Sequence, residues 1–326
     1  MNRISFRYTV QTFFSYYGSQ LKIFLTGGTG FIGSAVILRL AQKGHEVLVL
    51  SRSEEAVSGV TPFQENVNVL VSDLSDLKKI KYSLKRFRPD SVIHLAWEGL
   101  PDYSQRLCRK NVEMGANFFR LLADMEIKSV LSSGSCWEYE PRREPLTEDS
   151  RKDNKSPFSA AKIRLYEEGL EIFRKKSAAF IWLRLFFVYG PGQRSTSLIP
   201  YTLECVALGQ EPIIKSPGAR HDFVYIDDVA ECITMALERE LPNSVYNVGS
   251  GTLTSCGEVA KLALSVAGAE PFEDRPADDT ATDESLHYLA DTSRTATEVG
   301  WTARLSLREG VTRTMESMAS LKKKED

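Results

Sequence analysis

From residue 21 onward, short runs of nearly continuous apolar residues alternate with longer stretches whose apolar positions recur every three or four residues. The runs are 21–26 (LKIFLT), 45–51 (HEVLVLS), 68–71 (NVLV), 91–96 (SVIHLA), 128–133 (KSVLSS) and 179–186 (AFIWLRLF). A helical pattern follows the first run and stops at Gly44, and further helices are expected over 76–86, 104–124 and 157–176. Strands that are apolar on both faces, separated by helices, predict a parallel sheet covered on both sides. That is the doubly wound α/β class.

The alternation breaks down after Tyr189-Gly190-Pro191-Gly192. Helices are expected over 195–208, 227–240, 255–267 and 306–320, separated by loops rich in Pro, Gly and Asp, notably 270–284. This pattern divides the chain into an N-terminal extension (1–20), a doubly wound domain (21–188, to which 222–249 returns) and a smaller, mostly helical α/β lobe (189–221 and 250–326). The extension carries two arginines, no acid and many aromatics. It lacks the apolar core of a secretory signal and the length of a membrane span. A docked arm, a frayed extension, a mis-assigned start and an amphipathic surface segment are the readings open for it.

Composition narrows the function classes. The 326 residues include 41 Lys and Arg against 43 Asp and Glu, a net charge of −2. That balance argues against a nucleic-acid binder, which needs clustered uncompensated positive charge. With 42% apolar and 26% charged residues, the make-up is that of a soluble globular protein, with no membrane domain expected. The five cysteines are widely spaced without a Cys-x-x-Cys pair, and there are four histidines. Neither a metal site nor a disulfide framework is expected, and a reducing cytoplasm is the natural setting.

Candidate chemistry begins between the first run and the first helix, at Thr26-Gly27-Gly28-Thr29-Gly30-Phe31-Ile32-Gly33. Glycines at this spacing allow a tight turn, close approach of backbone to a pyrophosphate and close packing of helix on strand. The helix N-terminus adds N–H donors and a positive dipole end. The end of the second run reads Leu50-Ser51-Arg52-Ser53, where a carboxylate would be expected to hold the ribose of NAD. A guanidinium flanked by hydroxyls suits a 2′-phosphate instead, so NADP is expected over NAD. An ordinary surface arginine is the alternative, with Glu54 and Glu55 close by.

These residues, with SDL (72–74), HLA (94–96), NVEMGANFFRLL (111–122), RLFFVYGPGQ (184–193), DFVYIDDVA (222–230) and YNVGSG (246–251), resemble the extended short-chain dehydrogenase/reductases that act on nucleotide sugars. The likeness runs from about Leu21 to Trp301. It implies that Gly27, Thr29, Gly30, Phe31, Ile32, Gly33, Ser51, Arg52, Asp73, Leu74, Ala96 and Ser133 surround the cofactor, with Asp73 on the adenine. Asn111 is implied as a structural or cofactor-side residue. It also implies a homodimer through the helices at 104–124 and 157–176.

The family's chemistry uses a Ser or Thr, and a Tyr and Lys four residues apart on one helical face. Lys162 matches the lysine, which also holds the cofactor ribose, and Ser135 matches the hydroxyl residue, with Ser133 the second choice. The tyrosine position is Phe158, which cannot exchange a proton. An engineered or inactivating substitution, replacement of the acid by Cys136, Glu138, Tyr139 or Tyr166, and a non-catalytic binding protein are the three explanations.

Family dehydratases carry Asp-Glu after the hydroxyl residue, where this chain has Cys136 and Trp137. Family epimerases usually carry an acid at the end of the second strand, which is missing. A reductase using exchangeable NADPH is left in front, and GSCWEY (134–139) together with RLFFVYGPGQRSTSLIP (184–200) most resembles the ketoreductases of deoxysugar nucleotides. The resemblance implies reduction by NADPH of a keto group, C4 in the leading reading, on a nucleoside-diphosphate hexose; an NAD-dependent 4-epimerase or dehydratase is the alternative. Trp97, Ser135, Arg194 and Arg220 are the candidate substrate contacts. Trp97 reads equally as a packed core residue and the arginines equally as surface residues. The run Arg220-His221-Asp222 leaves open which side chain faces the substrate, and Phe187 stands where many relatives have Asn.

Overall fold

The computed structural model describes residues 20–59, 65–270 and 286–325. The extension 1–20, apart from Gln20, and the loop 270–284, apart from its first residue, lie outside them. In chain order the elements are β1 (Lys22–Thr26), α1 (Phe31–Gln42), β2 (Glu46–Ser51), α2 (Glu54–Ser58), β3 (Val67–Val71), α3 (Leu77–Phe87), β4 (Ser91–His94), α4 (Gln105–Leu122), β5 (Ser129–Ser135), α5 (Pro157–Phe173), β6 (Ala179–Leu185), β7 (Phe187–Tyr189), α6 (Leu198–Ala207), β8 (Arg220–Tyr225), α7 (Ile226–Leu237), β9 (Ser244–Val248), β10 (Leu253–Ser255), α8 (Cys256–Val266) and α9 (Leu307–Glu325).

Seven strands form one parallel sheet in the order β3-β2-β1-β4-β5-β6-β9. Their apolar runs are buried because helices cover both faces. On one side Val36, Ile37 and Leu40 of α1 pack with Val229, Ile233 and Ala236 of α7. On the other, Phe118, Phe119 and Leu122 of α4 meet Leu165 and Phe173 of α5. The segment 222–249 thus supplies a helix to one face and β9 to the edge of the sheet. Strand order reverses direction between β1 and β4, which opens a crevice at the carboxyl ends of the strands, where ligands of such sheets bind.

A second, three-stranded sheet runs β10-β8-β7, with β7 and β8 parallel and β10 antiparallel to β8. None of its strands is among the apolar runs read from the sequence. Several helix starts carry the local chemistry that stops fraying. Ser156 accepts from the Ser159 N–H at 3.0 Å just before Pro157, and Ser255 and Glu258 form a reciprocal capping box on α8. The five cysteines are unpaired. Among the described residues no helix is long and apolar enough to cross a membrane.

Candidate active site

The glycine turn between β1 and α1 is required by backbone contacts. Gly27 has φ +78°, and a Cβ there would lie 2.6 Å from the Ala96 nitrogen. A Cβ on Gly33 would collide with the Gly27 carbonyl oxygen and the Gly28 backbone. The Gly30 N–H donates to the Gly27 carbonyl at 3.1 Å, and Gly30 opens α1 without a capping side chain or an acid in the first turn. The helix therefore presents unsatisfied N–H groups and no competing negative charge, the electrostatic requirement for a bound phosphate.

In front of this turn lies a cleft of ≈ 420 Å³, the size of a small-molecule site. Gly27, Thr29, Gly30, Ser51, Arg52, Asp73, Leu74, Ala96 and Trp97 line it; Phe31, Ile32, Gly33, Ser133, Ser135, Phe158, Lys162, Arg194 and Arg220 do not. Ser53, Ser72, His94, Glu98, Gly99 and Asn111 are further lining residues. Ser51 Oγ donates to the Ser53 carbonyl at 2.7 Å, which closes a tight turn with Arg52 at its tip. Glu55 is turned to Ser53 Oγ (2.6 Å) at the start of α2, and neither it nor Glu54 lines the cleft. The Asp73 carboxylate accepts from the Ser75 hydroxyl (2.6 Å) and N–H (2.9 Å). Those bonds, then the Arg52 charge, hold it below the usual carboxylate range. On the opposite wall Asn111 clamps Glu98, accepting from its N–H at 2.7 Å and donating to its carbonyl at 3.0 Å. His94 is bonded to Thr26 Oγ1 at 2.8 Å. Burial, then the Lys162 charge, pushes its imidazole down to about 3, so it stands neutral at physiological pH.

The expected catalytic residues meet at the end of β5. Ser135 caps a short turn over Cys136–Glu138, accepting from the Trp137 N–H at 3.2 Å. Lys162 reaches across from α5 and donates to the Ser133 carbonyl at 2.8 Å, so the role of Ser133 here is carried by its backbone. The ammonium lies 4.1 Å from the centroid of the Trp97 ring. Burial pushes its pKa down to about 8 against the opposing pull of Glu138. Trp97 is thus both cleft wall and platform for the lysine. Phe158 is enclosed by three rings, with centroids at 5.1 Å (Tyr103), 5.4 Å (Trp97) and 5.8 Å (Trp137). Tyr103 carried no sequence signal: it lies in a loop outside every family-like run.

Of the substitute acids, Glu138 is fully buried and accepts from the Ser135 N–H (2.8 Å), Trp182 Nε1 (3.0 Å) and Arg184 Nε (2.7 Å). Tyr139 donates to Asn247 Oδ1 and accepts from Arg184, both at 2.7 Å. Burial raises the Cys136 thiol well above its ordinary value, and burial also raises the Tyr166 phenol. In the second lobe Arg194 and Arg220 are exposed. His221 turns inward and stacks on Phe187, centroids 3.9 Å apart and planes 10° from parallel, with its Nδ1 buried and unpartnered among the described residues. Asp222 accepts from the N–H groups of Ser250 (2.6 Å), Gly251 (2.9 Å) and Ala290 (3.1 Å), and so ties β8 to the β9–β10 loop and to the segment around Ala290.

A doubly wound parallel sheet with a glycine turn, an open helix N-terminus and a cleft at the strand ends is the arrangement of a dinucleotide-binding fold. Residues 23–249 match the model of the NAD dependent epimerase/dehydratase family, and the chain belongs to that family, whose members are NAD(P)-dependent epimerases, dehydratases and reductases of sugar nucleotides. It is 27% identical to the UDP-glucose 4-epimerase of Bacillus subtilis, over 89% of this chain and 94% of that one. It is 25% identical to a dTDP-4-dehydro-6-deoxyglucose reductase of Escherichia coli, over 91% and 97%. Among solved structures, a mutant UDP-glucuronic acid 4-epimerase from Bacillus cereus, in complex with UDP-4-deoxy-4-fluoro-glucuronic acid and NAD, superposes with a TM-score of 0.81 at 19% identity, covering 92% of this chain and 100% of that one. The last likeness speaks for the fold.

Proposed function

We propose that the protein reduces a keto group, at C4, of a nucleoside-diphosphate hexose with NADPH. The observation that carries the cofactor choice is Arg52, lining the cleft between Ser51 and Ser53 with no carboxylate of the β2 end beside it. A guanidinium there pairs with a 2′-phosphate through charge-assisted hydrogen bonds. The glycine cradle, which has no room for a Cβ at Gly27 or Gly33, fits the pyrophosphate of such a cofactor. When bound, a reduced nicotinamide supplies the hydride. Lys162 would hold the ribose of that cofactor and bring a cation towards the reacting oxygen, to which the Ser135 hydroxyl would donate. The cytoplasm, and a homodimer through α4 and α5, complete this reading.

Turnover of a nucleoside-diphosphate 4-keto-6-deoxyhexose with NADPH, compared with NADH, tests it. Arg52→Ala is expected to raise KM for NADPH on the order of 10- to 100-fold, the loss of a charged hydrogen bond of roughly 1.5–3 kcal/mol, and to leave NADH unaffected. Equal loss with both cofactors removes the 2′-phosphate assignment. The second reading, an NAD-dependent 4-epimerase, is favoured by the Bacillus subtilis relative. It requires NAD to co-purify and sugars to interconvert without added cofactor, which mass spectrometry of the purified protein and a sugar panel would register.

A further inference from the structure

We propose that the phenol missing at position 158 is supplied from another element, by Tyr103; this inference rests on the ketoreductase reading. The helix that should carry the acid is intact in every other respect. Ser156 caps it, Pro157 starts it, and Lys162 stands one turn beyond Phe158 on the same face. Only the hydroxyl is absent, and the ring of Phe158 is buried. Tyr103 packs its own ring against that ring in a T-shaped contact, centroids 5.1 Å apart and planes at 69°. It leans on Trp137 at 5.6 Å as well. Among the described residues it is the tyrosine that touches Phe158.

The hydroxyl of Tyr103 is available in a way that the interior phenols are not. Tyr139, Tyr189 and Tyr246 spend theirs on Asn247, the Leu307 carbonyl and Glu298. That of Tyr103 has no hydrogen bond among the described residues, and the side chain is half-buried. Its position is set by an ordered loop. Trp97 to Gly99 form the cleft wall and are held by Asn111. The Asp102 N–H then donates to the Gly99 carbonyl at 2.7 Å, and the Ser104 N–H to Asp102 Oδ1 at 2.7 Å. A cation belongs to the same aromatic shell: the Lys162 ammonium is 5.9 Å from the Phe158 centroid and 4.1 Å from that of Trp97.

The step balances as follows. A hydride, with its two electrons, arrives at the carbonyl carbon from the reduced nicotinamide, which is thereby oxidised. The C=O π pair moves onto oxygen, a new O–H bond forms there, and the O–H bond of Tyr103 breaks. The half-buried phenolate regains its proton from solvent.

Four proteins test this: wild type, Tyr103→Phe, Phe158→Tyr and the double variant, assayed with NADPH and a nucleoside-diphosphate 4-keto-6-deoxyhexose. Wild type is expected to turn over, and Tyr103→Phe to lower kcat about 10²- to 10⁴-fold, the usual share of a general acid. Phe158→Tyr added to Tyr103→Phe is expected to restore turnover. Independently of activity, affinity for the nucleoside diphosphate alone should be the same in Tyr103→Phe as in wild type. Unchanged kcat in Tyr103→Phe overturns the proposal in favour of Lys162 or water as donor. A loss that Phe158→Tyr does not restore, or a matching loss of affinity for the nucleoside diphosphate, overturns it in favour of a packing role. Turnover confined to proteins carrying Phe158→Tyr overturns it too but leaves the ketoreductase reading standing; no turnover in any of the four overturns both.

Discussion

Arg184→Met is expected to destabilise the protein by about 3–5 kcal/mol, the penalty for stranding one partner of a buried ion pair. Arg184 and Glu138 are 1% and 0% exposed, and their contact is 2.7 Å. The guanidinium also donates to the Tyr139 hydroxyl at 2.7 Å and the Glu148 carbonyl at 3.0 Å. Methionine fills comparable volume but leaves the Glu138 carboxylate with two neutral donors, the Ser135 N–H and Trp182 Nε1, and only the Lys162 ammonium, which makes no ion pair with it, as counter-charge. Chemical denaturation should show the midpoint fall. The double variant Glu138→Gln/Arg184→Met removes the stranded charge and keeps an acceptor for Ser135 and Trp182, so most of the loss should return. If the double variant is as unstable as the single one, packing rather than charge explains the effect. Because Glu138 also fixes the turn that holds Ser135, the single variant should lose turnover even where it is folded.

Lys162→Met should act in the opposite direction on stability. Burial lowers the lysine from 10.5 to about 8, so at neutral pH the folded protein holds a charge that the unfolded chain carries more comfortably. Tenfold in proton affinity is about 1.4 kcal/mol, which sets the burden at about 3 kcal/mol, offset in part by the Trp97 face. The burden is fully present below pH 8. As pH rises from 8 towards 10.5 the folded protein sheds the proton first, the unfolded state binds more protons, and wild-type stability rises. Lys162→Met is therefore expected to gain about 1–3 kcal/mol at pH 7 and little near pH 10.5, while turnover collapses. Denaturation midpoints across that range decide it; a gain independent of pH would assign the effect to packing alone.

What was legible beforehand follows from the range of the interactions involved. The first strand, glycine turn and helix α1 are specified by neighbours: apolar runs, close backbone contacts around Gly27 and Gly33, and a helix stop at Gly44. The strands β7, β8 and β10 are held by distant register, such as Phe187 with Phe223 and Thr254 with His221, and the three-residue β7 and β10 carry no period of their own. At the site, Arg52, Asp73 and Ala96 follow strand ends directly and are placed by the sheet. Arg194 and Arg220 were singled out by charge, which says nothing about direction, and both are exposed; His221, directly after Arg220, turns inward. Tyr103 depends on a loop whose course is fixed by Asn111 of α4, a contact no local pattern reveals.

The late arrival of β9 bears on how the molecule is made. Until residues 244–248 have emerged from the ribosome, β6 is a bare edge. Its Ile181–Leu185 backbone donors and acceptors, later paired with Ser244–Val248, face outward along an apolar strand that carries a buried arginine. Such an edge invites pairing with another chain. Tyr139 and Glu148 likewise wait for Asn247, which joins both at 2.7 and 2.9 Å. A nascent or truncated product ending near residue 190 should therefore aggregate rather than form a free-standing nucleotide-binding half, and chaperone protection of this protein should be needed during synthesis of the second lobe.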